Sequence, residues 1–106
     1  METEYTEYNK FKLPNIVIPL DVLANKNLSP REMILFGYIT DPAYNEQGYC
    51  NLSNRYLSVL LNTTPTTVSR MISNLIKEQY LYAEYIERPD GNQERRIYIN
   101  KKHNEA

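Results

Sequence analysis

A chain of 106 residues with 42% apolar and 24% charged side chains has the composition of one soluble domain built on a single core. Its formal net charge of −1 is not that of a generally basic nucleic-acid binder, although acidic residues outnumber basic ones before Leu52 and the reverse holds after it. The single cysteine, Cys50, excludes an internal disulfide or a cysteine-based metal cluster. The single histidine, His103, gives no basis for His-dependent catalysis or zinc, and no apolar run approaches the roughly 20 residues of a membrane span.

Residues 1–12 are polar and acidic, with Tyr5, Tyr8 and Phe11 interspersed. They read as a flexible arm, either frayed or docking its aromatics on this subunit or a partner. They lack the basic-then-apolar build of a signal peptide, so a cytoplasmic protein is expected. The folded domain is expected over residues 13–100, followed by a solvated tail, 101–106. Within it, Ile16 to Ile18 is a β-branched run between Pro14 and Pro19, which predicts a short edge strand or extended segment. One helical turn over Leu20 to Leu23 should break at Asn25 to Asn27.

Ser29-Pro30-Arg31-Glu32 is a helix start: Ser29 caps, Pro30 suits the first helical position, and Glu32 completes a capping box. A first main helix is expected from Pro30 to Ile39. Leu28, Leu35 and Ile39 line one face, while Met33, Ile34, Phe36 and Tyr38 spread apolar surface round the rest, so it must be covered on more than one side. Either the N-terminal segment or a second subunit supplies that cover. Asp41 to Cys50, with Pro42, Asn45 and Gly48, reads as a loop.

Ser53 then caps a second helix, Asn54 to Leu61, which should bury Tyr56, Leu57, Leu60 and Leu61. Asn62-Thr63-Thr64 forms the turn, and Thr64 with Pro65 starts a third helix running to about Gln79. Tyr80 to Arg88 and Glu94 to Asn100 alternate as two strands around Pro89-Asp90-Gly91-Asn92-Gln93, a hairpin turn sequence. The fold class is α+β.

The third helix separates into two faces. Val68, Met71, Ile72, Leu75 and Ile76 should pack inward. Thr66, Arg70, Ser73 and Lys77 fall on the opposite line with Thr67, Ser69 and Asn74 beside it, and no carboxylate occurs before Glu78. Exposed helices usually mix both signs of charge, whereas a surface set against phosphates and base edges should omit acids. Arg70 has the fork geometry to read a guanine edge, and hydroxyls near a helix start can meet phosphate. The hairpin adds Arg88, Arg95 and Arg96 with Asn92 and Gln93 between them, diluted by Glu87, Asp90 and Glu94. Such a tip can follow the backbone or enter the minor groove. Asn54 and Arg55, at the start of the second helix, complete the candidate DNA-contacting set.

Three helices and a hairpin in this order, with Thr-Val-Ser-Arg-Met-Ile-Ser-Asn-Leu at residues 67 to 75, closely resemble a winged helix-turn-helix domain. Leu28-Ser29-Pro30-Arg31-Glu32 and Val68-Ser69-Arg70 are similar to MarR-type regulators. Phe11-Lys12-Leu13-Pro14, Asn27-Leu28-Ser29 and Arg96-Ile97-Tyr98-Ile99 look still more like the N-terminal domain of plasmid and phage replication initiators of low-GC Gram-positive bacteria. The resemblance covers roughly residues 11 to 100. It implies double-stranded DNA binding, with the third helix in the major groove and the hairpin as wing.

Two departures stand out: Gln79 occupies a position where such domains often place glycine, and the sequence ends at Ala106 without the dimerisation helices of MarR-type proteins. A homodimer is therefore expected to use the first main helix or the N-terminal arm. The leading expectation is a mobile-element protein acting in DNA replication or its control, without cofactor, metal or enzymatic activity. Transcriptional repression is the near alternative. An adaptor that binds a replication protein, or a single-strand binder stacking bases on Tyr82 and Tyr98, are the others.

Overall fold

The computed structural model describes residues 16–45 and 47–100. The expectations for the arm at 1–12, the Phe11 to Pro14 motif and the tail at 101–106 lie outside the described residues. Among the described residues four helices precede a two-stranded antiparallel sheet: α1 (Leu20–Ala24), α2 (Pro30–Asn45), α3 (Asn54–Leu61), α4 (Pro65–Lys77), β1 (Leu81–Glu87) and β2 (Gln93–Ile99). This is an α+β winged helix-turn-helix.

Local chemistry sets each helix start. The α2 capping box closes in both directions, the Ser29 N–H donating to Glu32 Oε1 at 2.8 Å and the Glu32 N–H to Ser29 Oγ at 3.2 Å. Ser53 Oγ accepts from the Tyr56 N–H, and Thr64 Oγ1 from the Thr67 N–H. Ends are equally specific. Asn62, at φ 53, closes α3, and Gln79, at φ 67, closes α4. The Gln79 N–H donates to the Ile76 carbonyl and the Tyr80 N–H to the Leu75 carbonyl, the paired bonds of a Schellman ending. The third helix thus stops at Lys77, and Gln79 takes the left-handed conformation that favours glycine.

The core collects Leu35, Phe36 and Ile39 of α2, Leu57 and Leu61 of α3, Val68, Met71, Ile72 and Leu75 of α4, and Leu81 and Ile97 of the sheet. Truncating any fully buried leucine here should cost about 2–5 kcal/mol, because the lost transfer energy is joined by that of a cavity. Tyr80 joins this core with its ring edge-on to Phe36 at 5.8 Å.

Several expectations are corrected. The first main helix does not stop at Ile39 but continues to Asn45, past Pro42. Proline costs a helix one N–H donor and strains it, yet here the turn that contains it follows the buried Ile39 and Thr40, whose packing outweighs a local breaker. Of the two alternatives for Ile16 to Ile18, the strand does not form, and the segment runs without strand pairing along α2. A Cβ at Gly37 would lie 2.9 Å from Ile16 Cβ, so only glycine allows this close approach. With Ile18 packed on the core and Val22 fully buried, the N-terminal segment covers part of α2, as one of the two alternatives required. Tyr56 is 51% exposed rather than buried, its place being taken by Ser58, and Ile76 is 37% exposed at the edge of its stripe. The hairpin also gains a short third rung: Cys50 and Ile97 exchange both N–H···O bonds at 2.9 Å, tying the chain ahead of α3 to the root-side half of β2.

Candidate nucleic-acid interface

Anchored by four buried apolar residues, α4 turns Thr66, Ser69, Arg70, Ser73 and Lys77 outward, all exposed. Thr67 is half-buried, and its hydroxyl is taken up by Thr64 at 3.0 Å, so it serves the helix start. Among the described residues neither Arg70 nor Lys77 enters an ion pair. Their charge therefore faces solvent unneutralised, and the first acid, Glu78, stands at the cap beyond the last turn.

Asn74 behaves differently from its neighbours. Its Nδ2 donates to Glu32 Oε2 at 3.0 Å and to the Asn27 carbonyl at 3.2 Å, so its side chain lies against the start of α2. A second latch holds the far end of the helix. Asn25 Nδ2 donates to Glu78 Oε1 and to the Tyr80 hydroxyl, and Asn27 Nδ2 reaches the same Glu78 oxygen. The loop between α1 and α2 thus grips α4 from its last turns through the residues that follow it.

The wing does not gather its three arginines. Side chains on adjacent strand positions point to opposite faces, which separates Arg95 from Arg96. Arg95 pairs across the sheet with Tyr85 and donates to the Leu52 carbonyl at 2.9 Å, just before α3. Arg96 lies on the other face with Tyr82 and Tyr98, its guanidinium 4.4 Å from the Tyr49 ring centre and 3.0 Å from Glu94 Oε1. Glu94 also faces Arg88 at 3.7 Å and accepts from Asn51 Nδ2 at 3.0 Å. The Asn51 hydrogen bond, outweighing a partial desolvation, joins Arg96 and Arg88 in holding its carboxyl below the usual carboxylate range. Two of the three wing cations therefore share the one Glu94 carboxylate. At the tip, the Gly91 N–H closes the turn onto the Arg88 carbonyl behind Pro89, with Gly91 at φ 86. Asn92 and Gln93 are exposed there.

An open cleft of about 490 Å³ separates the wing from the helices. Its walls bring together Asn54, Ser69, Arg88, Gln93 and Arg95 of the expected set, and add Tyr85 and Glu94. Asn54 Oδ1 is buried there without a hydrogen-bond partner among the described residues. Arg55 is exposed on α3, Asn92 stays at the tip, and Arg96 is on the far side of the sheet. Thr66, Arg70, Ser73 and Lys77 form a separate outward surface on α4. No group of three or more metal-ligating side chains occurs among the described residues, and none of their helices is long and apolar enough to cross a membrane.

The helix-turn-helix domain family matches residues 26–81, from the approach to α2 through the full length of α4 to the first residue of β1. The chain belongs to this helix-turn-helix family. With the hairpin that follows, it is a winged helix-turn-helix DNA-binding domain. A structure described as a possible transcriptional regulator from Methanosarcina mazei Go1 is similar in fold, with a TM-score of 0.53 at 17% identity. The match covers 74% of this chain and 63% of that one, so the chain spans under two thirds of the length of the structure it resembles. A comparison with curated protein sequences returns no match.

Within this helix-turn-helix domain, the roles of Glu94, Tyr49 and Asn51 were not legible as charge or aromatic counts. Glu94 looked like simple dilution of a basic tip. Strand parity, applied to Glu94, Arg95 and Arg96, was the available signal: it places Glu94 and Arg96 together on one face and Arg95 on the other. Nothing in the sequence brings Tyr49 and Asn51 to the wing, because the Cys50 bridge that carries them there is a tertiary contact.

Proposed function

We propose that this domain binds double-stranded DNA with α4 in the major groove and the hairpin alongside the backbone, as a mobile-element protein of plasmid or phage type that acts in DNA replication or its control. The observation that carries the DNA-binding mode is the outward line Thr66, Arg70, Ser73 and Lys77, which is exposed, free of acids, and holds cations without ion pairs among the described residues. Ser69, exposed beside this line, also lines the cleft that holds Gln93 and Arg88. Hydroxyls and the α4 start meet phosphate, and Arg70 reads a base edge. The replication role rests on the sequence resemblance to initiator N-terminal domains.

Transcriptional regulation is the second reading, favoured by the fold it shares with the possible transcriptional regulator from Methanosarcina mazei Go1. A homodimer has apolar surface to use at Val17, Leu20 and Leu23, which are 77%, 83% and 50% exposed beside the start of α2. Its mass in solution tests this. Titration of labelled duplex and single strands across a salt series tests the binding mode. Duplex affinity should exceed single-strand affinity and fall steeply with salt. Equal affinity for the two, or binding to neither, removes the major-groove reading.

A further inference from the structure

Asn74 is the only amide side chain on α4, and amides are the side chains that read adenine, by giving a hydrogen bond and taking one from the same base edge. Both hydrogens of its Nδ2 are already committed, one to Glu32 Oε2 at 3.0 Å and one to the Asn27 carbonyl at 3.2 Å. Only Oδ1 remains, and an acceptor alone cannot make the bidentate pair. Glu32 is itself only 9% exposed and fixed through its other oxygen to the Ser29 N–H, so the carboxylate has little freedom to follow Asn74 outward. Leaving the clamp would strand a nearly buried carboxylate oxygen.

We propose that Asn74 is a positioning residue, which sets how far α4 stands out from α2, and that base reading by this helix is centred on a guanine through Arg70. This deepens, and rests on, the reading of α4 as a major-groove helix. The remaining outward side chains agree with it. Thr66, Ser69 and Ser73 carry hydroxyls, which accept any of several base or phosphate partners, and Lys77 is a point charge. Arg70 alone has two parallel donors to match the O6 and N7 of guanine, and among the described residues no carboxylate holds it back. The groove beside it, about 440 Å³ and lined by Arg31, Glu32 and Thr67, leaves room for the guanidinium to swing toward a base edge.

The test is selection from a pool of randomised duplexes, followed by single-base substitution in the preferred sequence. It is carried out with the wild type, Arg70→Ala, Asn74→Ala and Glu32→Gln, with melting curves to establish that each variant is folded. Wild type should prefer guanine at one position, and Arg70→Ala should lose that preference alone. Asn74→Ala should keep every base preference while binding all duplexes about fivefold more weakly, and the loss in Glu32→Gln should not add to it when the two are combined. A folded Asn74→Ala with unchanged affinity would make the contact merely structural and overturn the inference, as would loss of an adenine preference in that variant. Binding of no duplex by the wild type would overturn the major-groove reading and this inference with it.

Discussion

The recognition helix and the wing carry similar numbers of cations yet hold them in opposite ways. On α4, Arg70 and Lys77 project from a helix whose polar face has no acid, and its one amide is turned back to clamp the helix on α2. On the hairpin, Arg96 and Arg88 converge on Glu94, and Arg95 is spent on the Leu52 carbonyl. Counting basic residues would give the two surfaces equal weight as DNA contacts. Counting charges that remain unpaired instead singles out the helix as the stronger cationic surface on the proposed reading, with the wing a braced wall of the cleft. This also explains how a chain of net charge −1 can present a usable cationic surface: the field near α4 is set locally, not by the total.

The comparison can be broken most directly at Arg70. Arg70→Ala should weaken duplex binding by about 1–3 kcal/mol, and Arg96→Ala by far less, with little change in the salt dependence. Equal losses, measured by titration at two salt concentrations, would show that the wing's charge is as available as the helix's. The next effect runs the other way. Glu94→Gln releases Arg88 and Arg96, so duplex affinity at low salt should rise, by about three- to tenfold, and the slope of log affinity against log salt should steepen by about 1–2. An unchanged slope would mean the two guanidinium groups point away from DNA even when freed.

Acid should act on the same latch. Because the folded domain holds the Glu94 carboxyl below its ordinary range, its contribution is complete above the ordinary carboxylate pKa and is lost as pH falls through the lower folded value. Melting midpoints of the wild type should therefore drop more than those of Glu94→Gln as pH is lowered through about 4. Parallel curves for the two proteins would assign the acid sensitivity to other carboxylates. The smallest effect sits at the joint between the two regions. Gln79 pays a left-handed backbone penalty at φ 67, so Gln79→Gly should raise stability by about 0.5–1 kcal/mol in a denaturant melt without altering base preference.

Much of this was legible in the chain itself, and the parts that were not share a cause. Ser29, Ser53 and Thr64 announce three helix starts because a cap is a contact between residues at most three apart. Asp90-Gly91 announces the hairpin for the same reason. The apolar stripe of α4 defines its outward line, since helical geometry leaves that line nowhere else to go. What failed depended on contacts between distant residues: Pro42 lies in a helix because the preceding turn is buried, Tyr56 is displaced to solvent, and Asn74 finds Glu32 forty-two positions away. Arg95 and Arg96 are the exception, a separation that strand parity already contained and that a count of charges conceals.

The paired bonds between Cys50 and Ile97 give the hairpin a mechanical character. They clamp β2 toward its root, with Cys50 and Ile97 both fully buried, while beyond Arg95 the tip buries no side chain and is held by the end of the ladder, the bonds of its own turn and the polar contacts of Glu94. A ribbon fixed at one end and lightly stayed at the other behaves as a cantilever. Amide exchange should be slow at Cys50 and Ile97 and faster at the exposed turn from Asp90 to Asn92, so that the tip flexes while its root preserves the spacing from α4.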